Sequence, residues 1–444
     1  MPDTNEQCIL RKSQNMLKIY IRKNTSYYFP IYYTILLIGK NRRIRFSYTD
    51  SANNADLVWD HEHPHSEFIT REFYDELVKE KPVLSHKKIF REEQLIRDSE
   101  KRKDLIATIF YMVNCLQEFS FQKNDIDNYG RFRYKSSYQK RFNSIEKNLV
   151  QQYIDEFCSE KNIRGNPKAS TFFISHDIDT IYGSLKQDGF WALKNLHLGA
   201  FFNIIAGEIS RKPHWKNMDR IMRINSEYDV KSTFFWLVNK GKGSHNIRNA
   251  DYSLQKEQTL LQKIRKKGFV NAIHKSTMEM SFEEKLARWK IVEPYNRYHF
   301  LKFLPPKHWP VLSASPITLD SSLGFAERYG FRNSYGGAFQ PFNFKKNKPF
   351  NFVEAPLTFM DTTFRNYMKI ERKKIADIII DFYEANPYNC LFSLLWHNTY
   401  FTDYKYGGYL AEYKKILSYI YESKIKSLTP AEIIAEARLS WPVD

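Results

Sequence analysis

The sequence predicts an α/β chain, with a (β/α) barrel over residues 166–444 preceded by a smaller α+β domain over 1–165. Three observations predict it. From residue 170 to the end, strand-like and helix-like patterns alternate, which argues a parallel sheet with helical crossovers. The stretch SEKNIRGNPKA (159–169) is polar and carries Gly165 and Pro167, the composition of a domain boundary. At 444 residues the chain exceeds one ordinary hydrophobic core.

The first region begins with three runs read as strands: LKIYI, YYTILLI and RIRFSYTD, with GKNRR as the turn between the last two. His61, His63 and His65 alternate in a polar loop beside Pro64 and are read as solvated. Leu105, Ile106, Ile109, Phe110, Val113 and Leu116 recur at helical spacing, predicting a helix within 100–119. The loop after it holds Asp125 and Asp127, a D-x-D read as structural because no buried strand delivers it. A second helix is expected over 144–158.

Beyond the boundary, strands are expected at 170–175, 230–238, 269–273, 352–359 and 390–396. Helices are expected near 217–227, 254–267, 369–385 and 409–423. Gly268 closes one helix, Ser281 and Glu284 form a capping box for another, and Thr429, Pro430 and Glu432 begin the last.

Hydrophobic residues make up 42% and aromatics 16%, which excludes a disordered chain. The net charge of +18 comes from Lys and Arg spread along the chain rather than gathered in an arm. Nucleic-acid binding therefore rests on net charge alone and is not expected. Cys8, Cys115, Cys158 and Cys390 are too scattered for a disulfide framework. The opening residues lack the basic-then-apolar order of a secretory signal, and the apolar run Tyr27 to Gly39 is shorter than the ~20 residues a membrane span needs. The expectation is a cytoplasmic protein with no transmembrane segment.

The chemistry concentrates where strands end. The run TFFISHDID (171–179) passes from apolar residues into His176, Asp177 and Asp179. Carboxylates two apart on a strand lie on one side, close enough to share a metal ion or to divide the roles of base and ligand. FVNAI ends at His274, and LFSLLW ends at His397 and Asn398. Groups leaving the carboxyl ends of separate barrel strands converge at its mouth. Two carboxylates and two or three imidazoles are what a hydrolytic metal site needs.

In this order, ISHDID, VKSTFFWLV, NAIHKS, NRYHFL, LDSSLGFAERYGFR and LLWHN resemble the motifs of the polysaccharide deacetylase family, the NodB-homology carbohydrate esterases. DLIATIFYMVNCLQEF and DNYGRFRYKSS resemble the N-terminal region of a bacterial subgroup. The resemblance implies a distorted (β/α) barrel of the NodB-homology type. It also implies a divalent metal, usually zinc, and removal of acetyl groups from an N-acetylated glycan or glycan precursor. By the same resemblance Asp177 is the base, Asp179 and His274 are metal ligands, Arg297 orients the base and His397 is the general acid.

One position departs from the family pattern. The histidine usual four residues after the first in the second motif is replaced by Met278, and a thioether is a poor ligand for such an ion. His299 and His176 are the candidates to complete the shell; His299, which RYHF places beside Arg297, is preferred. Tyr298, Trp396 and Asn398 are expected to contact substrate. O-acetyl ester hydrolysis would use the same groups. The alternative is a catalytically impaired relative that binds carbohydrate or assists glycan assembly, which Met278 and Lys275 favour.

Overall fold

The computed structural model describes residues 16–183, 188–210, 215–238, 240–241, 249–276, 281–289 and 292–442. The first strand, β1 (Leu17–Ile21), pairs in parallel with β2 (Phe46–Tyr48) and β3 (Leu57–Trp59) in the order β2-β1-β3. A helix over Tyr28–Arg42 connects β1 to β2. This corrects the reading of YYTILLI as a strand and of GKNRR as a turn. A continuous apolar run carries no period that separates a buried strand from a helix buried on all sides. Here Ile31, Tyr33, Ile35 and Ile38 are all enclosed, and Pro30 sits in the first turn, where its missing N–H costs no helical bond.

Further helices of this region include Leu105–Val113 and Leu149–Glu160. The first is buried along its whole length and is capped by Asp104, whose carboxylate accepts from the backbone N–H of Ala107 (2.8 Å) and Thr70 (2.8 Å).

The remainder is built on one parallel sheet. In chain order its strands are β4 (Thr171–Ile178), β5 (Thr233–Leu237), β6 (Val270–Lys275), β7 (Tyr295–Tyr298) and β8 (Leu319–Asp320). A small hairpin of β9 (Phe342–Asn343) and β10 (Lys348–Pro349) intervenes. The sheet is completed by β11 (Val353–Glu354), β12 (Leu357–Met360) and β13 (Leu391–Leu395), giving the order β11-β8-β7-β6-β5-β4-β13-β12. All eight residues of β4 are buried, as a central parallel strand covered on both faces requires.

The two edge strands are nearly consecutive in sequence: only Ala355 and Pro356 separate β11 from β12. The sheet is therefore curled until its ends meet. Leu357 N–H donates to the Leu323 carbonyl (3.0 Å) and Gly330 N–H to the Thr358 carbonyl (3.0 Å), a seam of isolated bonds in place of a ladder. The result is a distorted barrel. The helices Met218–Glu227, Gln258–Lys266, Ile375–Glu384 and Tyr409–Glu422 are among those that cover it. The capping box read at Ser281/Glu284 is formed, and the expected start of the last helix at Thr429 carries a second one, with Glu432.

The N-terminal region and the barrel share one apolar core, in which Ile35 and Phe110 join Phe342 and Phe392. They are also tied by a buried ion pair, Glu118 with Arg332 (2.7 Å). Cys115, Cys158 and Cys390 are buried free thiols, and Cys8 lies outside the described residues. Among the described residues no helix is long and apolar enough to cross a membrane.

Candidate active site

The carboxyl end of β4 sets the site. Side chains alternate across a strand, so Ser175, Asp177 and Asp179 point to one side and His176 and Ile178 to the other. Asp177 meets Arg297, whose Nη1 donates to its Oδ1 (2.8 Å) and also to Ser175 Oγ (2.9 Å). The same guanidinium donates through Nε to the Ser321 carbonyl (2.9 Å) and through Nη2 to Ser321 Oγ (3.0 Å), and lies over the Phe235 ring at 4.3 Å. Arg297 is fully enclosed, so its charge is balanced by Asp177 and its donors by fixed acceptors. The Asp177 carboxylate is thereby fixed in orientation, with Oδ2 turned to His274 Nε2 at 3.5 Å.

His274, the penultimate residue of β6, is the direct register partner of Arg297 on β7. Its Nδ1–H donates to the Arg297 carbonyl (2.9 Å), which fixes the tautomer and leaves the Nε2 lone pair toward Asp177 and Asp179. Nε2 lies 3.5 Å from Asp179 Oδ1. His299 follows β7 at the start of a tight turn and brings its Nε2 to 3.7 Å from the same oxygen. Phe300 and Leu301, next in the chain, are both left-handed, with φ of 59° and 51°. Consecutive left-handed non-glycine residues are costly and mark a turn that its surroundings hold in place.

Asp179, His274 and His299 offer ligand atoms all within 4.8 Å of one another, and among the described residues they are the one such group. The spacings exceed hydrogen-bond range, and the buried Asp179 Oδ1 has no hydrogen-bond partner. An orphaned buried carboxylate oxygen facing two imidazoles fits a divalent cation. Burial pushes the Asp179 carboxyl up, but the facing imidazoles outweigh it and hold it below the ordinary carboxylate range. Burial holds His299 down at about 4. At neutral pH an ionised carboxylate thus faces a neutral imidazole, the protonation states metal ligation requires.

On the opposite side, His397 follows β13 and turns Nε2 to 3.8 Å from Asp179 Oδ2. Its Nδ1 is bonded to Asp361 Oδ1 (2.7 Å) and its backbone N–H to Asp361 Oδ2 (2.5 Å). Burial opposes a charge on this ring, but the Asp361 carboxylate prevails and raises the imidazole to about 10. A bound cation beside Asp179 would draw that value down. Asp361 stands just past β12, at the same end of the sheet as the rest; its position after LTFM is the signal that would have found it.

Several expected residues fall elsewhere. His176 faces the helical layer, with Nδ1 bonded to the Trp396 carbonyl (2.8 Å) and Nε2 to the Asn225 amide (3.0 Å); burial lowers it to about 4. Both ring nitrogens are used, so it cannot complete a metal shell. Trp396 is fully buried against Tyr409 and Tyr413 and presents no ring face to a ligand. Tyr298 is enclosed by Phe282, Phe303 and His308. The Asn398 amide donates to the carbonyls of Thr180 (2.8 Å) and Trp215 (3.0 Å), a structural bridge. Met278 lies outside the described residues. His61 is bonded to Tyr27 (2.9 Å) and belongs to no ligand cluster.

Residues 16–161 match the profile of a family of unknown function (DUF7033). A comparison with curated proteins finds no match. Among solved structures the chain is similar to a Mycobacterium smegmatis protein assigned as a polysaccharide deacetylase, at 14% identity and a TM-score of 0.37 over 63% of this chain and 96% of that one. It is also similar to a Bdellovibrio bacteriovorus peptidoglycan deacetylase, at 10% identity and a TM-score of 0.28 over 71% of this chain and 77% of that one.

Proposed function

We propose that this chain is a metal-dependent hydrolase that removes acetyl groups from an N-acetylated glycan or glycan precursor. The observation that carries the reading is the gathering of three differently prepared units around Asp179. They are a carboxylate fixed by a buried arginine (Asp177, Arg297), an uncommitted Asp-His-His cluster (Asp179, His274, His299) and an imidazole charged by a buried carboxylate (His397, Asp361). A protein that only binds sugars has no use for a base and an acid each held by its own buried partner.

Asp179, His274 and His299 would hold the divalent ion, zinc by the chemistry of the donor set. When bound, such an ion supplies an acidified water and charge against a developing oxyanion. Asp177 takes the proton of the attacking water, its orientation set by Arg297. His397 holds a proton on Nε2 and delivers it to the departing amine, while Asp361 keeps Nδ1–H in place and stabilises the imidazolium. Water adds to the acetyl carbonyl, the C–N bond breaks, and acetate and a free amino sugar leave. An O-acetyl ester would be cleaved by the same steps with an alcohol as leaving group.

The test is acetate release from N-acetylated oligosaccharides by zinc-loaded wild type, by the same protein after chelation, and by Asp177→Asn. Release by the first alone supports the reading. Equal release by all three would remove it.

A further inference from the structure

The loop of the N-terminal region that follows Asp125 reaches the barrel mouth and meets the turn carrying His299. Arg131 is buried and donates from Nη1 to the Phe300 carbonyl (3.0 Å), fastening the strained turn. Tyr129 stacks on Phe300 with ring centroids 5.6 Å apart and planes 19° apart, and Phe300 stacks on His299 at 3.9 Å. Tyr367, six residues past Asp361, lies on the other side of Arg131 with its hydroxyl 3.5 Å from the guanidinium. Tyr129, Phe300 and Tyr367 are 41%, 41% and 43% exposed, although each is packed beside the site on at least one side. Exposed rings fixed next to a reactive centre are surfaces on which sugar rings can lie.

A groove of about 540 Å³ continues from Tyr367 along the N-terminal region. Five cations line it, Arg131, Arg133, Lys135, Lys140 and Arg328, against two carboxylates, Asp127 and Glu327. Arg131 is committed to Asp127 (2.7 Å); among the described residues the other four cations have no ion-pair partner. One of them, Arg133, carries a buried Nε with no hydrogen-bond partner. Such a groove favours an anionic chain over a neutral one.

We infer that the N-terminal region is part of the substrate site: Tyr129, with Phe300 and Tyr367, forms a sugar-stacking platform beside the metal cluster. The adjoining groove of Arg133, Lys135, Lys140 and Arg328 selects a glycan bearing carboxylate or phosphate groups. This deepens the deacetylase reading and rests on it for the class of ligand. A single-stranded nucleic acid would also meet cations and rings, but the platform adjoins a base and an acid suited to cleaving an acyl group, so a glycan is favoured.

The experiment is calorimetric titration of the full chain with a hyaluronan hexasaccharide and with neutral hexa-N-acetylchitohexaose, at low and high salt. The anionic oligosaccharide is expected to bind about 10-fold more tightly at low salt, the preference collapsing at high salt. Arg133→Gln with Arg328→Gln should bring the ratio to about one. Tyr129→Ala, an exposed position, should weaken both ligands about 5-fold. Competition by glucuronic acid assigns a carboxylate as the group read, and competition by inorganic phosphate assigns a phosphate. Equal affinity for the two oligosaccharides in wild type, a preference untouched by the double substitution, or equally tight binding of an oligo-dT would overturn the inference. Acetate release separates it from the reading beneath. Charge-selective binding without acetate release leaves the platform standing and removes the deacetylase. Release that is indifferent to Tyr129 and to charge does the reverse.

Discussion

The chain carries the same three-residue pattern twice, at Asp125–Asp127 and at Asp177–Asp179, and the structure gives the two copies opposite fates. In the first, both carboxylates accept from donors within a few residues of themselves. Asp125 accepts from the Gln122 backbone (2.9 Å), while Asp127 accepts from the backbone N–H of Tyr129 and Arg131 (2.9 Å each) and from the Arg131 side chain (2.7 Å). In the second, Asp177 is fixed by one arginine and Asp179 is left facing imidazoles beyond hydrogen-bond reach. The difference teaches that a D-x-D acquires chemistry only when a buried strand removes it from its own backbone donors. A loop satisfies its carboxylates from within; a strand end must satisfy them from across the sheet, or leave them for a ligand.

That contrast can be broken by substitution. Asp179→Ala should abolish both metal retention and acetate release, and Asp177→Asn should keep the metal while lowering kcat by about 10³-fold or more. Elemental analysis and single-turnover kinetics check the two. Asp361→Asn should lower kcat by about 10²-fold and move the alkaline limb of the rate profile to lower pH, because the carboxylate that raises His397 is gone.

The same pair gives a stability test on chelated protein. The folded imidazole sits at about 10, above its unfolded value, so its contribution is fully present below about pH 6.5 and is lost as pH rises to about 10. Urea melts across that window should show falling stability in wild type and a flatter profile in Asp361→Asn. His176→Leu should leave metal binding intact and cost about 2–3 kcal/mol, since it strands the Trp396 carbonyl and the Asn225 amide. Asp127→Ala should cost about 1–2 kcal/mol by unfastening the Tyr129–Arg131 loop, read as a lower urea midpoint.

Much of this was legible in the sequence because the barrel writes its pattern locally. Apolar runs ending in Asp177, His274 and His397 place these groups at strand ends without reference to anything distant. Gly268, the Ser281/Glu284 capping box and the helix start at Thr429 are likewise local signals. What escaped depends on the far side of the fold. Asp361 has a local signal in its place after LTFM, but its role comes from the imidazole 36 residues later that it holds. Trp396 is the first residue past β13 and immediately precedes His397, so continued alternation sends it to the opposite face, into the helical layer against Tyr413. Applied to β13, the alternation that separates His176 from Asp177 would have excluded it. The helix over Tyr28–Arg42 was misread because a segment enclosed on all sides has no exposed face to reveal its period.

The most direct test of the account is a zinc titration of the chelated chain, comparing wild type with His299→Ala and His176→Leu. The account predicts about one tightly held equivalent in wild type, at least ~10-fold weaker binding in His299→Ala, and no change in His176→Leu. Unchanged binding in His299→Ala, or no zinc retained by wild type, would contradict it.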